Sequence, residues 1–124
     1  MHESHVVAQV SSNFGQYEVV DTIYNGRFAR VLYSSHRTAA QSGEPRDGKN
    51  EPLFDYNQSL LKVLRGLNPQ SVLMIGGGSF TLPKVLLQQT PDLRFDIVEI
   101  DHVLYNIAQE YFGFEPGKFT EVYI

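Results

Sequence analysis

The chain has 124 residues, 42% of them apolar and 12% aromatic, which suffices for the core of one domain, or of one small module plus part of another. Its 14 acidic and 10 basic side chains give a formal charge of −4 with no basic block, which argues against a duplex nucleic-acid partner, since phosphate binding draws on clustered Lys and Arg. There is no cysteine, and therefore no disulfide, thiolate metal site or cysteine nucleophile.

No stretch reaches the roughly 18 consecutive apolar residues of a membrane helix. The opening Met-His-Glu-Ser-His has no cationic lead into an apolar run, so no secretory signal is read. The expectation is a soluble, cytoplasmic protein.

The first third alternates like strands. Tyr17, Val19, Asp21 and Ile23 share one side, and Glu18, Val20 and Thr22 the other; a second run follows from Arg27 to Ser34. Between them stands Asn25-Gly26, a strong two-residue hairpin signal, because a type I′ turn needs positive φ at both central residues. Apolar side chains on both sides of this hairpin imply that both faces are at least partly covered. From Ser42 to Glu51 the turn formers are dense and periodicity is missing, so an exposed, mobile loop is expected.

A helix is expected next, with Asp55 as N-cap and Gln58 completing a capping box. Tyr56, Leu60, Leu61, Leu64 and Leu67 form its apolar stripe, and Gly66 and Asn68-Pro69 end it. Ser71 to Ile75 is a short apolar run of the kind buried on both faces in parallel sheets. After the loop Gly76-Gly77-Gly78-Ser79-Phe80, Thr81 is expected to cap a helix running to about Gln89, with Pro83 in its first turn. Phe95 to Ile100 reads as the second strand. Asp101 caps a third helix through Val103, Leu104, Ile107, Ala108 and Tyr111, and Phe119 to Ile124 reads as a third strand.

The informative constellation is the glycine loop together with Glu99. In a strand–loop–helix turn, glycines let the backbone approach a ligand closely, and the free N–H groups of the next helix favour electron-rich groups. An acidic residue ending the second strand can accept hydrogen bonds from ribose hydroxyls, and Glu99 stands twenty-one positions beyond Gly78, where about twenty is expected. The loop is not Gly-x-Gly-x-x-Gly, since Thr81 takes the position of its last glycine, and no Gly-Lys-Ser/Thr pair makes a P-loop. A nucleoside ligand without a pyrophosphate fits better than a dinucleotide or a triphosphate. His2, His5, His36 and His102 share no metal-ligand spacing, and no metal is expected.

Val72 to Phe80, followed by Val98-Glu99-Ile100-Asp101, resembles the spermidine and spermine synthases, whose pattern is an apolar strand, Gly-Gly-Gly-Asp-Gly-Gly and then Val-Glu-Ile-Asp. The resemblance covers most of the chain. It implies an α/β fold: an N-terminal β-hairpin-rich module over residues 1–54, then, over 55–124, the first half of a methyltransferase-like Rossmann domain that stops in its third strand. It implies transfer of an aminopropyl group from decarboxylated S-adenosylmethionine to a polyamine. Gly76, Gly77, Gly78, Ser79, Glu99, Asp101 and Gln41 would then lie at the donor, and Tyr56 at the substrate. Where the family loop carries Asp, this chain has Ser79, and the family's Tyr-His-Glu is here Tyr56-Asn57-Gln58. Each change removes charge.

Two other readings stand beside this one. A methyltransferase-like protein of the same fold would use intact S-adenosylmethionine, and a non-catalytic module would associate through its hairpin and open sheet edge. Such a half-sheet leaves an unpaired edge strand, so a homo-oligomer is expected, and the chain alone is expected to show no aminopropyl transfer. Asp101 reads as a helix cap before it reads as a ligand.

Overall fold

The computed structural model describes residues 4–34 and 39–124. Four antiparallel strands come first: β1 (His5–Ser12), β2 (Gly15–Tyr24), β3 (Arg27–Ser34) and β4 (Ala39–Pro45), in spatial order β1-β2-β3-β4. Tyr24 pairs with Arg27, and Asn25 and Gly26 have φ of 48° and 78°, the expected primed turn. The register puts Val19 opposite Leu32 and Val20 opposite Val31, and all four are buried. Both faces of the hairpin are therefore covered. Val19 and Leu32 pack with Leu104 and Ile107; Val31 and Ala29 pack with Leu53.

β4 corrects the expected loop over Ser42–Glu51. Ser42, Gly43, Glu44 and Pro45 are buried, with Ser42 opposite Leu32 and Gly43 opposite Val31. A Cβ at Gly43 would stand 2.9 Å from the Arg30 carbonyl oxygen and 3.0 Å from Leu53, so the glycine admits the strand to a crowded place. Glu44 is held there by Lys84 at 2.8 Å. Only residues 46–50 remain as an exposed run.

The helix α1 (Asp55–Leu67) begins with Phe54 in the N-cap position and no side-chain cap, so the expected Asp55–Gln58 capping box does not form. Gln58 instead donates its amide to the Pro52 carbonyl at 3.0 Å, and Asp55 sits in the first turn, where the helix dipole favours a negative charge. The apolar stripe is also corrected. Leu61 is buried and Leu64 packs against the core, whereas Tyr56, Leu60 and Leu67 are exposed and Asn57 is buried in their stead. The helix ends as expected: Asn68, at φ 48°, donates its N–H to the Leu64 carbonyl.

Three parallel strands follow, β5 (Ser71–Ile75), β6 (Arg94–Val98) and β7 (Thr120–Tyr123), in order β5-β6-β7. The crossovers are α2 (Thr81–Gln89) and α3 (His102–Tyr111). Val72, Met74, Phe95, Ile97 and Val122 pack on the three helices through Leu61, Val85, Leu86 and Ala108. The opposite face is uncovered: Leu73 is 64% and Ile75 80% exposed, with Val98 and Tyr123 beside them. The expectation that β5 is buried on both faces therefore fails. An apolar run says that a strand suits two-sided burial, and here helices supply one side.

Candidate functional site

The β5–α2 loop is built around Phe80. Its ring is fully buried, stacked on Tyr105 at 5.4 Å between centroids and tilted against Phe114 at 5.0 Å. To seat that ring under the loop the backbone takes φ 61° at Phe80, a conformation disfavoured for a residue with a Cβ and held here by packing. Gly77 lies directly over the ring, and a Cβ there would fall 2.2 Å from Phe80 Cε1, so only glycine fits. Phe80 was not singled out in the sequence, where it looks like any aromatic at a helix start.

Phe80, and not Thr81, occupies the N-cap position of α2, with no side-chain cap bond. The Thr81 hydroxyl lies 2.6 Å from the Ser79 hydroxyl, while the Ser79 N–H donates to Ser42 Oγ at 2.8 Å. Ser79 is completely buried, so its side chain offers nothing to a ligand in front of the loop. Ser42, from β4, is thus a loop-holding residue that the sequence reading placed in a mobile segment.

Glu99 is 4% exposed and is bonded to the loop. Its Oε1 accepts from the Gly77 N–H and its Oε2 from the Asp101 N–H, both at 2.9 Å. Each carboxylate oxygen keeps a further lone pair. Its position just beyond the carboxyl end of β6 is where open α/β sheets bind ligands.

Asp101 caps α3 as expected, Oδ1 accepting from the Val103 N–H at 3.0 Å. Oδ2 accepts from Ser12 Oγ at 2.5 Å and from the Tyr17 hydroxyl at 2.6 Å. With 1% exposure and these three donors, Asp101 belongs to the junction between the two sheets and not to a ligand-facing surface. Burial raises its pKa, but the hydrogen bonds from Ser12, Tyr17 and Val103 outweigh it and hold the carboxyl below its ordinary value. Burial, and then the hydrogen bond to Asp101, push the Tyr17 hydroxyl up to about 12.

In front of the loop lies a cavity of about 370 Å³ between β4, α1 and the end of β5. Gln41, Ser42, Tyr56, Gly76, Gly77 and Gly78 supply its polar wall, with Leu60, Met74 and Leu82 its apolar one. The Tyr56 hydroxyl donates to the Gln41 carbonyl at 3.3 Å, tying α1 to β4 across the opening. The structure thus brings Gln41, Tyr56 and the three glycines to one cavity and leaves Ser79, Glu99 and Asp101 out of its wall, Glu99 reaching the loop through the Gly77 N–H. Asn57, the buried polar residue of α1, also lines it. None of the described residues lining it carries a carboxylate or an imidazole.

Of the four histidines, His5 and His102 are exposed, and His2 and His36 lie outside the described residues. Among the described residues no group of three or more His, Cys, Asp or Glu side chains is placed to hold a metal ion, and no helix is long and apolar enough to cross a membrane.

No protein-family model matches the chain. It is 35% identical over 85 residues to a polyamine aminopropyltransferase of Vibrio vulnificus, an alignment covering 67% of this chain and 28% of that protein. It is also 35% identical over 71 residues to putrescine N-methyltransferase 3 of Nicotiana tabacum, covering 55% of this chain and 18% of that one. The fold matches the crystal structure of a probable spermidine synthase from Corynebacterium glutamicum with a TM-score of 0.70 at 13% identity, over 97% of this chain and 44% of that one. The chain thus spans less than a third of the length of these curated relatives and less than half of the solved structure.

Proposed function

We infer, for a chain that belongs to the spermidine synthase family, that the cavity in front of Gly76–Gly78 holds the adenosyl part of an aminopropyl donor, decarboxylated S-adenosylmethionine. The observation that carries this reading is the meeting of Gln41 and Tyr56, forty-one and fifty-six residues into the chain, with the glycine loop in one cavity. Gly76, where a Cβ would stand in open space at the cavity wall, lets the ligand approach the backbone. Glu99 is the carboxylate tied to that wall through the Gly77 N–H, with a spare lone pair on each oxygen for ribose hydroxyls. Gln41 and Tyr56 face the donor or the incoming polyamine.

Aminopropyl transfer is an in-line displacement by a neutral amine on carbon activated by a sulfonium, so the protein's tasks are to orient the amine and take its proton. The described cavity residues include no carboxylate or imidazole to take a proton, and their part is to bind and orient.

A second reading, methyl transfer from intact S-adenosylmethionine, is favoured by Ser79. Its buried hydroxyl sets no negative charge near the loop to repel the donor's carboxylate. Calorimetric titration of the chain with both donors decides. Binding of the decarboxylated donor in preference to the intact one supports aminopropyl transfer, and the reverse order supports methyl transfer. If neither binds, the cavity is not a nucleoside site.

A further inference from the structure

The structure assigns to Tyr17 the role of a positioning residue for the glycine loop, acting through Asp101 and Glu99. This rests on the reading of the loop as a nucleoside site. Tyr17 lies on β2 of the N-terminal sheet and lines no part of the cavity in front of the loop.

A continuous line of hydrogen bonds joins it to the loop. The Tyr17 hydroxyl donates to Asp101 Oδ2, the Asp101 N–H donates to Glu99 Oε2, and Glu99 Oε1 accepts the Gly77 N–H. Distances along this line run from 2.6 to 2.9 Å. Ser12, on β1, donates to the same Asp101 oxygen and doubles the anchor. Short hydrogen bonds to an ionised acceptor are the stronger kind, and a buried carboxylate left without its donors has little choice but to shift.

The segment between β6 and α3 is anchored at its two ends, where the Glu99 N–H donates to the Tyr123 carbonyl of β7 at 2.9 Å and the Asp101 carbonyl accepts the Leu104 N–H at 3.0 Å. Ile100, the residue between Glu99 and Asp101, is 71% exposed and does not pack in the core. With the Glu99 backbone set by β7, what Asp101 governs is the N–H that fixes Glu99 Oε2, so the direction of the Glu99 carboxylate depends on where Asp101 is held. Asp101 is held by the N-terminal sheet on one side and by the first turn of α3 on the other. Without the phenol, Asp101 keeps its cap to Val103 but loses a donor, Glu99 gains freedom, and the Gly77 N–H loses a fixed partner.

The test compares Tyr17→Phe and Ser12→Ala with Val31→Ala, which removes buried volume from the same sheet at a cluster with Ala29 and Leu53, apart from Asp101. Three quantities are read: the amide resonances of Gly77 and Asp101 in the ligand-free chain, the melting temperature, and the affinity for 5′-methylthioadenosine as probe. Tyr17→Phe is expected to move both amide resonances, Ser12→Ala to move them the same way by less, and Val31→Ala to lower the melting temperature without moving them. Affinity should fall roughly threefold or more in Tyr17→Phe, the size seen for residues that act without touching the ligand. Amides unmoved in Tyr17→Phe, with melting lowered as in Val31→Ala, would make Tyr17 a packing residue and overturn the proposal. Should Tyr17→Phe not fold, the Ser12→Ala amides decide in the same way. Amides that move in a chain whose wild type does not bind the probe uphold the positioning role and sink the nucleoside reading alone.

Discussion

The two sheets of this protein solve the same problem to different extents. The antiparallel sheet carries apolar residues on both faces of its hairpin and has both covered, Val19 and Leu32 by α3, and Val31 by Leu53. The parallel sheet also carries apolar residues on both faces, yet its three helices lie on one, and Leu73 and Ile75 face outward. The difference teaches that strand composition records the burial a strand is suited to, whereas the chain at hand determines the burial it gets. It also separates the roles. The glycine loop rests on the well-packed side of the parallel sheet, over Phe80, and is fastened to the antiparallel sheet by Ser42 and Asp101.

The largest expected effect lies where the loop meets the packed face. Phe80→Ala removes a fully buried ring that touches Tyr105 and Phe114 and should destabilise the chain by about 3–5 kcal/mol in denaturant titration. Gly26→Val forces a β-branched residue to φ near 78° in the hairpin that the antiparallel sheet depends on. Strain of this kind costs roughly 1–3 kcal/mol and should lower the melting temperature; an unchanged value would place the turn elsewhere.

A smaller effect concerns the junction. The Asp101 carboxyl is held below its ordinary pKa, so its contribution is present in full above the unfolded-state value of about 3.9 and is lost as pH falls through the folded one. Melting of the wild type should fall with acidification below about pH 4 more than that of Asp101→Asn. Equal slopes would show that the junction does not depend on the ionised carboxylate. The smallest effect is expected on the bare face, where Leu73→Ala should change stability by no more than about 0.5 kcal/mol, against about 2 kcal/mol for Val31→Ala in the covered sheet. A large loss at Leu73 would mean that the face is covered in solution.

Much of this was legible because it is local. Asn25-Gly26 announces its turn by φ alone, Asp101 its cap, and the apolar run ahead of three glycines its strand and loop. What escaped is long-range. β4 is written in Ser-Gly-Glu-Pro, poor strand formers, and is a strand because β3 offers it partners and Gly43 fits against Arg30 and Leu53. The start of α1 reads as a capping box, yet the Gln58 side chain donates to the Pro52 carbonyl instead of accepting from an N-cap N–H. Tyr56, Leu60 and Leu67 mimic a core stripe, while α1 buries Asn57 and lends Tyr56 and Leu60 to the cavity. Of the candidate cavity, the glycines could be read from spacing and Gln41 and Tyr56 from the family resemblance, whereas Glu99, also picked out by spacing, lies outside its wall. The tie from Ser42 to the loop, and from Tyr17 through Asp101 to Glu99, joins residues far apart in the chain and has no signature in it.

The central claim is that Glu99 serves a nucleoside in front of the glycine loop while Asp101 serves the junction behind it. Calorimetric titration of decarboxylated S-adenosylmethionine into Glu99→Gln and Asp101→Asn, each checked for folding by its melting curve, compares the two directly. The account predicts that Glu99→Gln weakens binding far more, by roughly 1.5–3 kcal/mol for a lost charged hydrogen-bond partner. Equal losses from the two substitutions, or none from Glu99→Gln, would contradict it.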